Sequence, residues 1–387
     1  MSLASDMIAQ KAAPDGTPAL GTLYFYLTEG CNLACRHCWM GPRFDPAGNH
    51  YPSLPLALFE TAISEAKPLG LNCVKLTGGE PLLHPHFSTL LEIVRREALR
   101  LTIETNGLLC TPEIAAEIAK SPKRFVSVSI DGADAETHEW VRGVPGSFEA
   151  ARQGVYNLVA AGTRPQVIFT VMRKNAAQVD AMVQMAEELG AVSLKLNLVQ
   201  PTARGENLHD AKETLTIREL ITLGRHVEQD LAPKTKIKLF FDYPYAFRNL
   251  HRIASGEGCS ACGIFGILGV IASGHYALCG IGEQVPELVF GGVGQDPLEA
   301  VWKHNNLLKA LRKGLPDRLE GVCGRCLMKQ RCLGSCIAQN YFSKGSLWAP
   351  HWFCEQAEEA GLFPVSRLGA RPAQSPRIAI GHAIAES

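Results

Sequence analysis

Short runs of β-branched and aromatic residues alternate with amphipathic stretches from about residue 22 to about residue 241. Such alternation is typical of repeated β-α units around a parallel sheet, because each helix returns the chain to the same end of the sheet. Six runs have the composition of strands, TLYFYLT, NCVKLTG, LRLTIET, FVSVSI, PQVIFTV and SLKLNLV, and KIKLFF is a candidate seventh. The pattern predicts six or seven strands in an α/β fold.

The stretches between these runs carry signals for helix ends. Asn175 precedes an apolar stripe that ends at Gly190, and Ser147 precedes another that ends at Gly162. Because short polar side chains cap helix starts and glycine commonly follows helix ends, both stretches are predicted to be helices capped by Asn175 and Ser147. Their apolar faces are expected to pack on the sheet.

Six β-α units are fewer than the eight that close a full barrel, so a partial (β/α)6 TIM-like barrel is expected over residues 22–241. Active residues would then lie at the carboxyl ends of the strands. From about residue 255 the chain becomes rich in Gly and Cys, which predicts a domain over 242–366 held by metal more than by a hydrophobic core. Residues 1–21 are interpreted as an extension and 367–387 as a flexible tail.

Charge and targeting signals exclude several classes of partner. Lys plus Arg and Asp plus Glu number 38 each, so no net charge attracts nucleic acid or an anionic membrane. The amino-terminal segment has neither a secretory nor a transit composition, and no apolar run approaches the roughly 20 residues that span a bilayer. We expect a cytoplasmic protein without nucleic-acid or membrane partners.

The chain contains 13 cysteines, and their clustered spacing without a signal peptide indicates metal ligands instead of disulfides. Cys31, Cys35 and Cys38 directly follow the run TLYFYLT. Three thiolates at these spacings can hold three irons of a cubane and leave the fourth iron open to a ligand. The alternative is a zinc site completed by His37, since structural zinc takes four ligands.

The Cys-x3-Cys-x2-Cys arrangement, followed by Trp39, resembles the radical S-adenosylmethionine (SAM) superfamily. The resemblance implies that Cys31, Cys35 and Cys38 hold a [4Fe–4S] cluster whose open iron binds SAM, and that Trp39 belongs to the cofactor site. Reductive cleavage of SAM by such a cluster gives methionine and a 5′-deoxyadenosyl radical.

Gly78, Gly79 and Glu80 follow the second strand run. Glycines allow close approach of the backbone to a ligand, and a glutamate can accept a hydrogen bond from an ammonium group. The stretch resembles the GGE motif of the same family, which implies that it holds the SAM amino group. The alternative is a simple Gly-Gly turn.

Polar residues also end the third and fourth strand runs. The resemblance implies that Thr105, Asn106, Ser129 and Asp131 line the ribose and methionine side of SAM, and that Arg142 pairs with the SAM carboxylate. The alternative is that these residues are polar strand ends that meet water and that Arg142 is an exposed structural arginine.

Four further residues have weaker assignments. Arg204 follows the sixth strand run and either faces the substrate or lies in a surface loop. Asp242 is a candidate acid or base, with a structural role as the alternative. Cys73 and Cys110 are expected to be structural, because a free cysteine behaves as a small buried hydrophobe.

Eight cysteines in the last third resemble the SPASM domain of radical SAM maturases. The resemblance implies two auxiliary clusters, and therefore three [4Fe–4S] clusters in total. The near cluster takes Cys259, Cys262, Cys279 and Cys336, and the distal cluster takes Cys323, Cys326, Cys332 and Cys354. Zinc is the alternative for at least one set, because paired Cys-x2-Cys units also build zinc ribbons.

The resemblance implies an enzyme that oxidatively modifies a peptide or protein, by a crosslink or by formation of a cofactor precursor. Only about twenty residues precede the first strand run, so a peptide substrate is expected to need a separate leader-binding protein or a docking mode of its own. An electron donor of the flavodoxin or ferredoxin type is also expected. Gly280 stands where sulfatase maturases carry an aspartate, which disfavours that branch. Oxidation or decarboxylation of a tetrapyrrole or other small molecule, and a non-enzymatic iron–sulfur scaffold, are the alternatives.

Overall fold

The chain folds around one ten-stranded, mostly parallel sheet. The computed structural model describes residues 16–45, 51–254 and 262–369. All seven predicted runs form strands, and these seven are parallel to their neighbours. They are β1 (Thr22–Tyr26), β4 (Cys73–Thr77), β5 (Arg100–Thr105), β6 (Arg124–Ser129), β7 (Gln166–Val171), β8 (Ser193–Leu198) and β9 (Lys238–Phe241).

The carboxyl-terminal region contributes three strands to the same sheet, which the sequence did not predict. The strand order is β12-β11-β10-β1-β4-β5-β6-β7-β8-β9, with β10 parallel to β1 and the last two strands antiparallel. A separate parallel pair, β2 with β3, lies in the loop after β1. These strands are β2 (Gly30–Cys31), β3 (Arg43–Phe44), β10 (Ile267–Val270), β11 (His275–Ala277) and β12 (Val289–Gly292).

The described residues contain fifteen α-helices, which connect the strands and cover the carboxyl-terminal region. None of them combines the length and the apolarity needed to cross a bilayer. They are α1 (Leu56–Ala66), α2 (Phe87–Arg96), α3 (Pro112–Ala119), α4 (Ala135–Arg142), α5 (Ser147–Ala160), α6 (Val179–Glu188), α7 (Arg204–Asp210), α8 (Ile217–His226), α9 (Leu250–Ala254), α10 (Leu298–His304), α11 (Asn306–Gly314), α12 (Gly321–Arg325), α13 (Lys329–Cys332), α14 (Ile337–Lys344) and α15 (Trp352–Glu359).

The two faces of the sheet differ in polarity. One face is apolar and packs with the helices in the hydrophobic core; Phe25 on β1 and Leu76 on β4 are fully buried there. Full burial of such a side chain contributes about 1.5–3 kcal/mol. On the other face Tyr24, Lys75 and Thr102 are in register on adjacent strands and only half buried. Parallel strands are usually apolar on both faces, so this second face, the polar face, indicates a cavity that receives polar ligands.

The expectation that metal, more than a core, holds the carboxyl-terminal region needs correction. Trp302, Tyr276 and Phe353 are almost completely buried and belong to the main core, and the Trp302 indole donates to the Pro18 carbonyl at 2.8 Å. The helices there are mostly short, so their apolar faces show no long periodicity in the sequence.

The two predicted helix caps were wrong. Ser147 is the first residue of α5 instead of its cap, and Gly146, with φ of 79°, precedes it. Asn175 lies before a short 3-10 turn, and its side-chain amide donates to the carbonyls of Asp131 and Thr170 at 3.0 and 2.9 Å. A buried asparagine here joins the ends of two strands, a long-range contact that local sequence does not reveal.

Candidate functional site

The loop that carries Cys31, Cys35 and Cys38 emerges from the carboxyl end of β1. Cys31 and Cys35 are each 6% exposed, and Cys38 is half buried. Backbone hydrogen bonds attach the loop to its surroundings: the Ala34 N–H donates to the Arg142 carbonyl at 3.0 Å, and the Arg204 N–H donates to the Cys38 carbonyl at 3.2 Å. The three thiols are therefore held by a hydrogen-bonded loop at the carboxyl end of the strands, where the sequence predicted them.

The turn formed by Gly78 and Gly79 packs directly against this loop. The Gly79 N–H donates to the Thr28 carbonyl at 3.1 Å, and the Glu80 N–H donates to the Gly30 carbonyl at 3.0 Å. A Cβ on Gly79 would lie 1.8 Å from the Gly30 carbonyl oxygen, and Gly78 has a φ of 132°. Glycine is thus required for the turn to contact the cysteine loop, and contact with SAM stays a prediction.

The Glu80 carboxyl group is buried and fully engaged by protein donors. One oxygen accepts from the Thr105 hydroxyl at 2.6 Å and the Leu82 N–H at 3.1 Å, and the other accepts from the Asn106 N–H at 2.8 Å. Burial raises the pKa of Glu80 to about 7, although these hydrogen bonds favour the ionised form. The predicted contact with an ammonium group would add to this existing network.

Asn106 lies beside the first thiol of the loop. Its side-chain amide donates to the Asn32 side-chain oxygen at 2.7 Å and lies 3.9 Å from the Cys31 Sγ. Its own side-chain oxygen accepts from the Leu108 N–H at 3.0 Å, which fixes the orientation of the amide. The Asn106 side-chain amide thus contacts both Asn32 and the Cys31 Sγ.

Arg142 is buried and is not the exposed arginine that the alternative interpretation expected. Its side chain is 8% exposed, one terminal nitrogen lies 2.7 Å from the Asp131 carboxylate, and the other lies 3.5 Å from the Cys35 Sγ. The Asp131 carboxylate also accepts from the Thr170 N–H at 2.7 Å. Burial opposes ionisation of Asp131, but the Arg142 guanidinium overcomes it and holds the pKa of Asp131 below its usual range.

His37 borders this pair. Its Nε2 lies 3.6 Å from the Asp131 carboxylate, and burial lowers the pKa of His37 to about 4, so the ring is neutral at pH 7. The structure therefore gives Arg142 a carboxylate partner within the protein, and the predicted pairing of Arg142 with the SAM carboxylate stays a prediction.

Three other predicted residues border the loop. Ser129 ends β6, two residues before Asp131, and Trp39 is half buried against a small cluster that contains Tyr26 and Met40. The Arg204 guanidinium donates to the carbonyls of Cys35 and Pro42, so it supports the cysteine loop from one side.

The second cysteine group separates into two sets in the described ranges. Burial raises the pKa of Cys262, and the neighbouring thiols Cys336 and Cys279 raise it further, so these three thiols lie together. Cys259 lies outside the described residues. The other set consists of thiols that line one small cavity: Cys323, Cys326, Cys332 and Cys354.

The donor chemistry of both sets fits iron–sulfur clusters. Each described ligand candidate is a thiol, and burial raises the pKa of Cys279 and Cys332 to about 12. Among the described residues, no three Cys, His, Asp or Glu side chains are close enough to share a single metal ion. The two sets are those that the sequence predicted, and cluster binding by them stays a prediction.

The polar face carries two ion pairs, of which the sequence pointed only to Asp242, as a candidate acid or base. Lys75 lies 2.6 Å from Glu104, and Lys195 lies 3.4 Å from Asp242. A lysine in the middle of an otherwise apolar strand run, as in NCVKLTG and SLKLNLV, was the signal in the sequence. By contrast, Cys110 is 2% exposed within the core, as expected of a structural cysteine.

Comparison with known proteins decides the family. The family model of the Radical SAM superfamily matches residues 25–186. The AdoMet-dependent heme synthase of Methanosarcina barkeri is 30% identical over 346 residues, which cover 85% of this chain and 94% of that protein. The chain belongs to the radical SAM superfamily. Its cofactors therefore include a [4Fe–4S] cluster and SAM, and Cys31, Cys35 and Cys38 are the thiols in the matched region that stand together in one loop.

A second relative of this chain is named as a maturase. The mycofactocin maturase MftC of Mycobacterium ulcerans is 29% identical over 359 residues, which cover 90% of this chain and 92% of that protein. Both relatives match most of this chain.

Solved radical SAM structures share the fold. Streptococcus suis SuiB bound to the precursor peptide SuiA superposes with a TM-score of 0.71 at 17% identity and covers 88% of this chain and 77% of that chain. The structure of anSMEcpe with bound AdoMet and the Cp18Cys peptide gives a TM-score of 0.67 at 17% identity and covers 88% and 96%. The likeness extends over both the partial barrel and the carboxyl-terminal region.

Proposed function

We propose that this chain is a radical SAM maturase that oxidatively modifies a peptide or protein, by a crosslink or by formation of a cofactor precursor. The observation that carries the proposal is the combination of the SAM-type cysteine loop with two further thiol sets in one chain. Similarity to the mycofactocin maturase MftC over 90% of this chain supports it. This chain shares its fold with SuiB, whose solved structure contains the precursor peptide SuiA. That fold is therefore compatible with a peptide substrate.

In this proposal the chain holds three [4Fe–4S] clusters, and the first, together with SAM, supplies a 5′-deoxyadenosyl radical. Cys31, Cys35 and Cys38 hold the first cluster, while Asn106 and Arg142 donate hydrogen bonds toward its thiolates. The near and distal thiol sets, with Cys259 in the near set, would hold two further clusters, which would supply an acceptor for the electron released on substrate oxidation. The polar face of the sheet orients the substrate and limits its access to water.

The partners in this proposal are a peptide substrate, a separate leader-binding protein and an electron donor of the flavodoxin or ferredoxin type. A cytoplasmic location is part of the same proposal, because reduced low-potential donors and open iron–sulfur clusters require a reducing compartment.

A second candidate function is oxidation or decarboxylation of a tetrapyrrole. The observation that favours it is the 30% identity to the AdoMet-dependent heme synthase of Methanosarcina barkeri over 85% of this chain. Titration of the protein with a porphyrin separates the two candidates: a saturable shift of the Soret band at one site per chain favours the tetrapyrrole, and no shift favours the peptide.

Two measurements test the proposed function. Anaerobically prepared protein should contain about twelve irons per chain for three cubanes, whereas about four irons with two zincs would refute the auxiliary clusters. Short peptides encoded beside the gene should lose hydrogen atoms when incubated with SAM, reductant and enzyme. Mass spectrometry would detect the corresponding decrease in peptide mass. Unchanged peptide masses together with a modified porphyrin would reverse the order of the two candidates.

A further inference from the structure

Two ammonium–carboxylate pairs lie on the polar face of the sheet, where they form a group that we name the lumen pairs: Lys75 with Glu104, and Lys195 with Asp242. The nitrogen–oxygen distances are 2.6 and 3.4 Å. The lysine side chains remain 19% and 27% exposed, so each ammonium group keeps an open side.

The lumen pairs lie close to the near thiol set, and Lys75 is also close in sequence to the turn that contacts the first cysteine loop. Lys75 precedes Gly78 by three residues, roughly 10 Å along a strand at about 3.3 Å per residue. Its ammonium group lies 4.8 Å above the centre of the Tyr24 ring and opposes the burial-induced rise in the pKa of Cys262. Asp242 in turn adds to the rise in the pKa of Cys336. A substrate held here would lie close to the near thiol set.

Stability does not account for these pairs. A partly buried ion pair is frequently no more stabilising than apolar residues of the same volume, because desolvation of both charges opposes their attraction. The neighbouring positions on the opposite face of the same strands, such as Val74 and Leu194, are apolar and fully buried. On the two strands that carry these lysines, charged residues occur on the polar face alone, which indicates recognition of a charged ligand.

An unpartnered acceptor lies on the same face. Asn197 follows Lys195 by two residues on β8, and its side-chain oxygen is buried without a hydrogen-bond partner among the described residues. A buried amide oxygen without a donor costs about 1–3 kcal/mol. An N–H or O–H of a bound ligand would remove that cost.

We propose that Lys75 and Lys195 bind a carboxylate of the substrate, while Glu104 and Asp242 hold the two ammonium groups in place before the substrate arrives. The substrate class is therefore a carboxylate-bearing molecule with an N–H donor, which a peptide with a free carboxylate and a tetrapyrrole with propionates both satisfy. Charge-assisted hydrogen bonds to the ammonium groups provide the recognition. This inference rests on the proposed function and adds the substrate class.

Binding experiments compare acids with their blocked forms. The probes are short peptides encoded beside the gene, each with a free terminal carboxylate and as the terminal amide, and protoporphyrin IX with its dimethyl ester. Titrated into the reconstituted protein, one of the two acids should bind at least tenfold more tightly than its blocked form. Whichever probe shows the preference identifies the source of the carboxylate.

Substitutions in the lumen pairs should act in opposite directions. Lys75→Gln and Lys195→Gln should abolish the preference for the acid, and Lys75→Arg should retain most of it. Glu104→Gln should tighten binding of the acid, because the glutamine amide oxygen still positions the Lys75 ammonium group but no longer neutralises its charge; misfolding does not produce tighter binding. The matched control is Lys67→Gln, which breaks a similar pair with Glu97, 3.2 Å apart, outside the polar face. This variant should keep the preference for the acid over its blocked form.

The outcomes separate this inference from the proposed function. Equal binding of acids and blocked forms, no binding of either probe, or an unchanged preference in the Lys75→Gln and Lys195→Gln variants would overturn the carboxylate site. Absence of 5′-deoxyadenosine from the wild-type enzyme would instead overturn the proposed function itself.

Discussion

At the scale of single residues, the cysteine loop depends on buried polar partners that lie far from it in sequence. Arg142 connects the Asp131 carboxylate to the Cys35 thiol within a nearly inaccessible pocket. Cys31, Cys35 and Cys38 were predictable because three thiols at short spacings have few other uses. The internal Asp131–Arg142 pair was not, because sequence gives no distance between a strand end and a helix end.

Replacement of Arg142 by Gln should destabilise the protein strongly. The change leaves the Asp131 charge buried without its partner, and breaking a buried pair in this way costs about 3–5 kcal/mol. Urea denaturation under anaerobic conditions measures the loss, and Asp131→Asn combined with Arg142→Gln should recover part of it. A loss below about 1 kcal/mol would show that the pair is not buried as described.

Gly79→Ala should impair assembly of the first cluster. The added Cβ would overlap the Gly30 carbonyl oxygen, so the turn and the cysteine loop must separate, at a cost of about 1–3 kcal/mol for such overpacking. Iron content and the electron paramagnetic resonance signal of the reduced first cluster report the change. Gly369→Ala, where the nearest atom is 3.4 Å away, is the control, and equal signals in both variants would argue against the contact.

At the scale of elements, regular strands were easy to predict and short or tertiary-dependent elements were not. The seven predicted strands have alternating or continuous apolar runs, whereas β11 has three residues and β10 and β12 contain glycines. Asn175 has the sequence context of a helix cap, but its hydrogen bonds to Asp131 and Thr170 determine its position. Local propensity therefore located elements well and their termini poorly.

A histidine links α6 to the turn after α8 and should make stability depend on pH. His226 lies 2.9 Å from Asp180 and 3.0 Å from Asp230, and hydrogen bonds to these two carboxylates raise the pKa of His226. The charged form is favoured in the folded state, so the contribution is complete below pH 6.5 and disappears as pH rises through the folded-state pKa. Because the groups are partly exposed, it should reach only about 0.2–1 kcal/mol.

His226→Asn should therefore reduce the free energy of unfolding at pH 6 and leave it nearly unchanged at pH 9. Chemical denaturation at the two pH values measures the difference, and Asp180→Asn should show the same pattern with a smaller effect. A loss of equal size at both pH values would mean that packing, and not charge, is the contribution of His226.

At the scale of the whole molecule, the carboxyl-terminal region completes the sheet. β1 lies between β4 and β10, so the strand that leads into the cysteine loop depends on a strand from residues 267–270. The sequence predicted the partial barrel and the two thiol sets, and it missed this continuity because β10 looks like an ordinary short apolar run. The polar face was overlooked for a related reason: the register that aligns Tyr24 with Lys75 depends on pairing between distant strands.

A chain that ends after residue 254 should consequently fail to fold as a stable monomer. It would expose one edge of β1 and remove the partners of apolar residues such as Leu23, and unpaired strand edges promote aggregation. Size-exclusion chromatography after expression tests this expectation, with a chain that ends after residue 369 as the control. A soluble, cooperatively unfolding product of residues 1–254 would contradict it.

The central claim is that the Cys31, Cys35 and Cys38 loop supports reductive cleavage of SAM. The most direct measurement is chromatographic quantification of 5′-deoxyadenosine after anaerobic reduction of the reconstituted protein with SAM. The wild-type protein should form it, and a variant with Cys31, Cys35 and Cys38 replaced by Ala should form none while it retains the remaining iron. No 5′-deoxyadenosine from the wild type, or equal amounts from both proteins, would contradict the account.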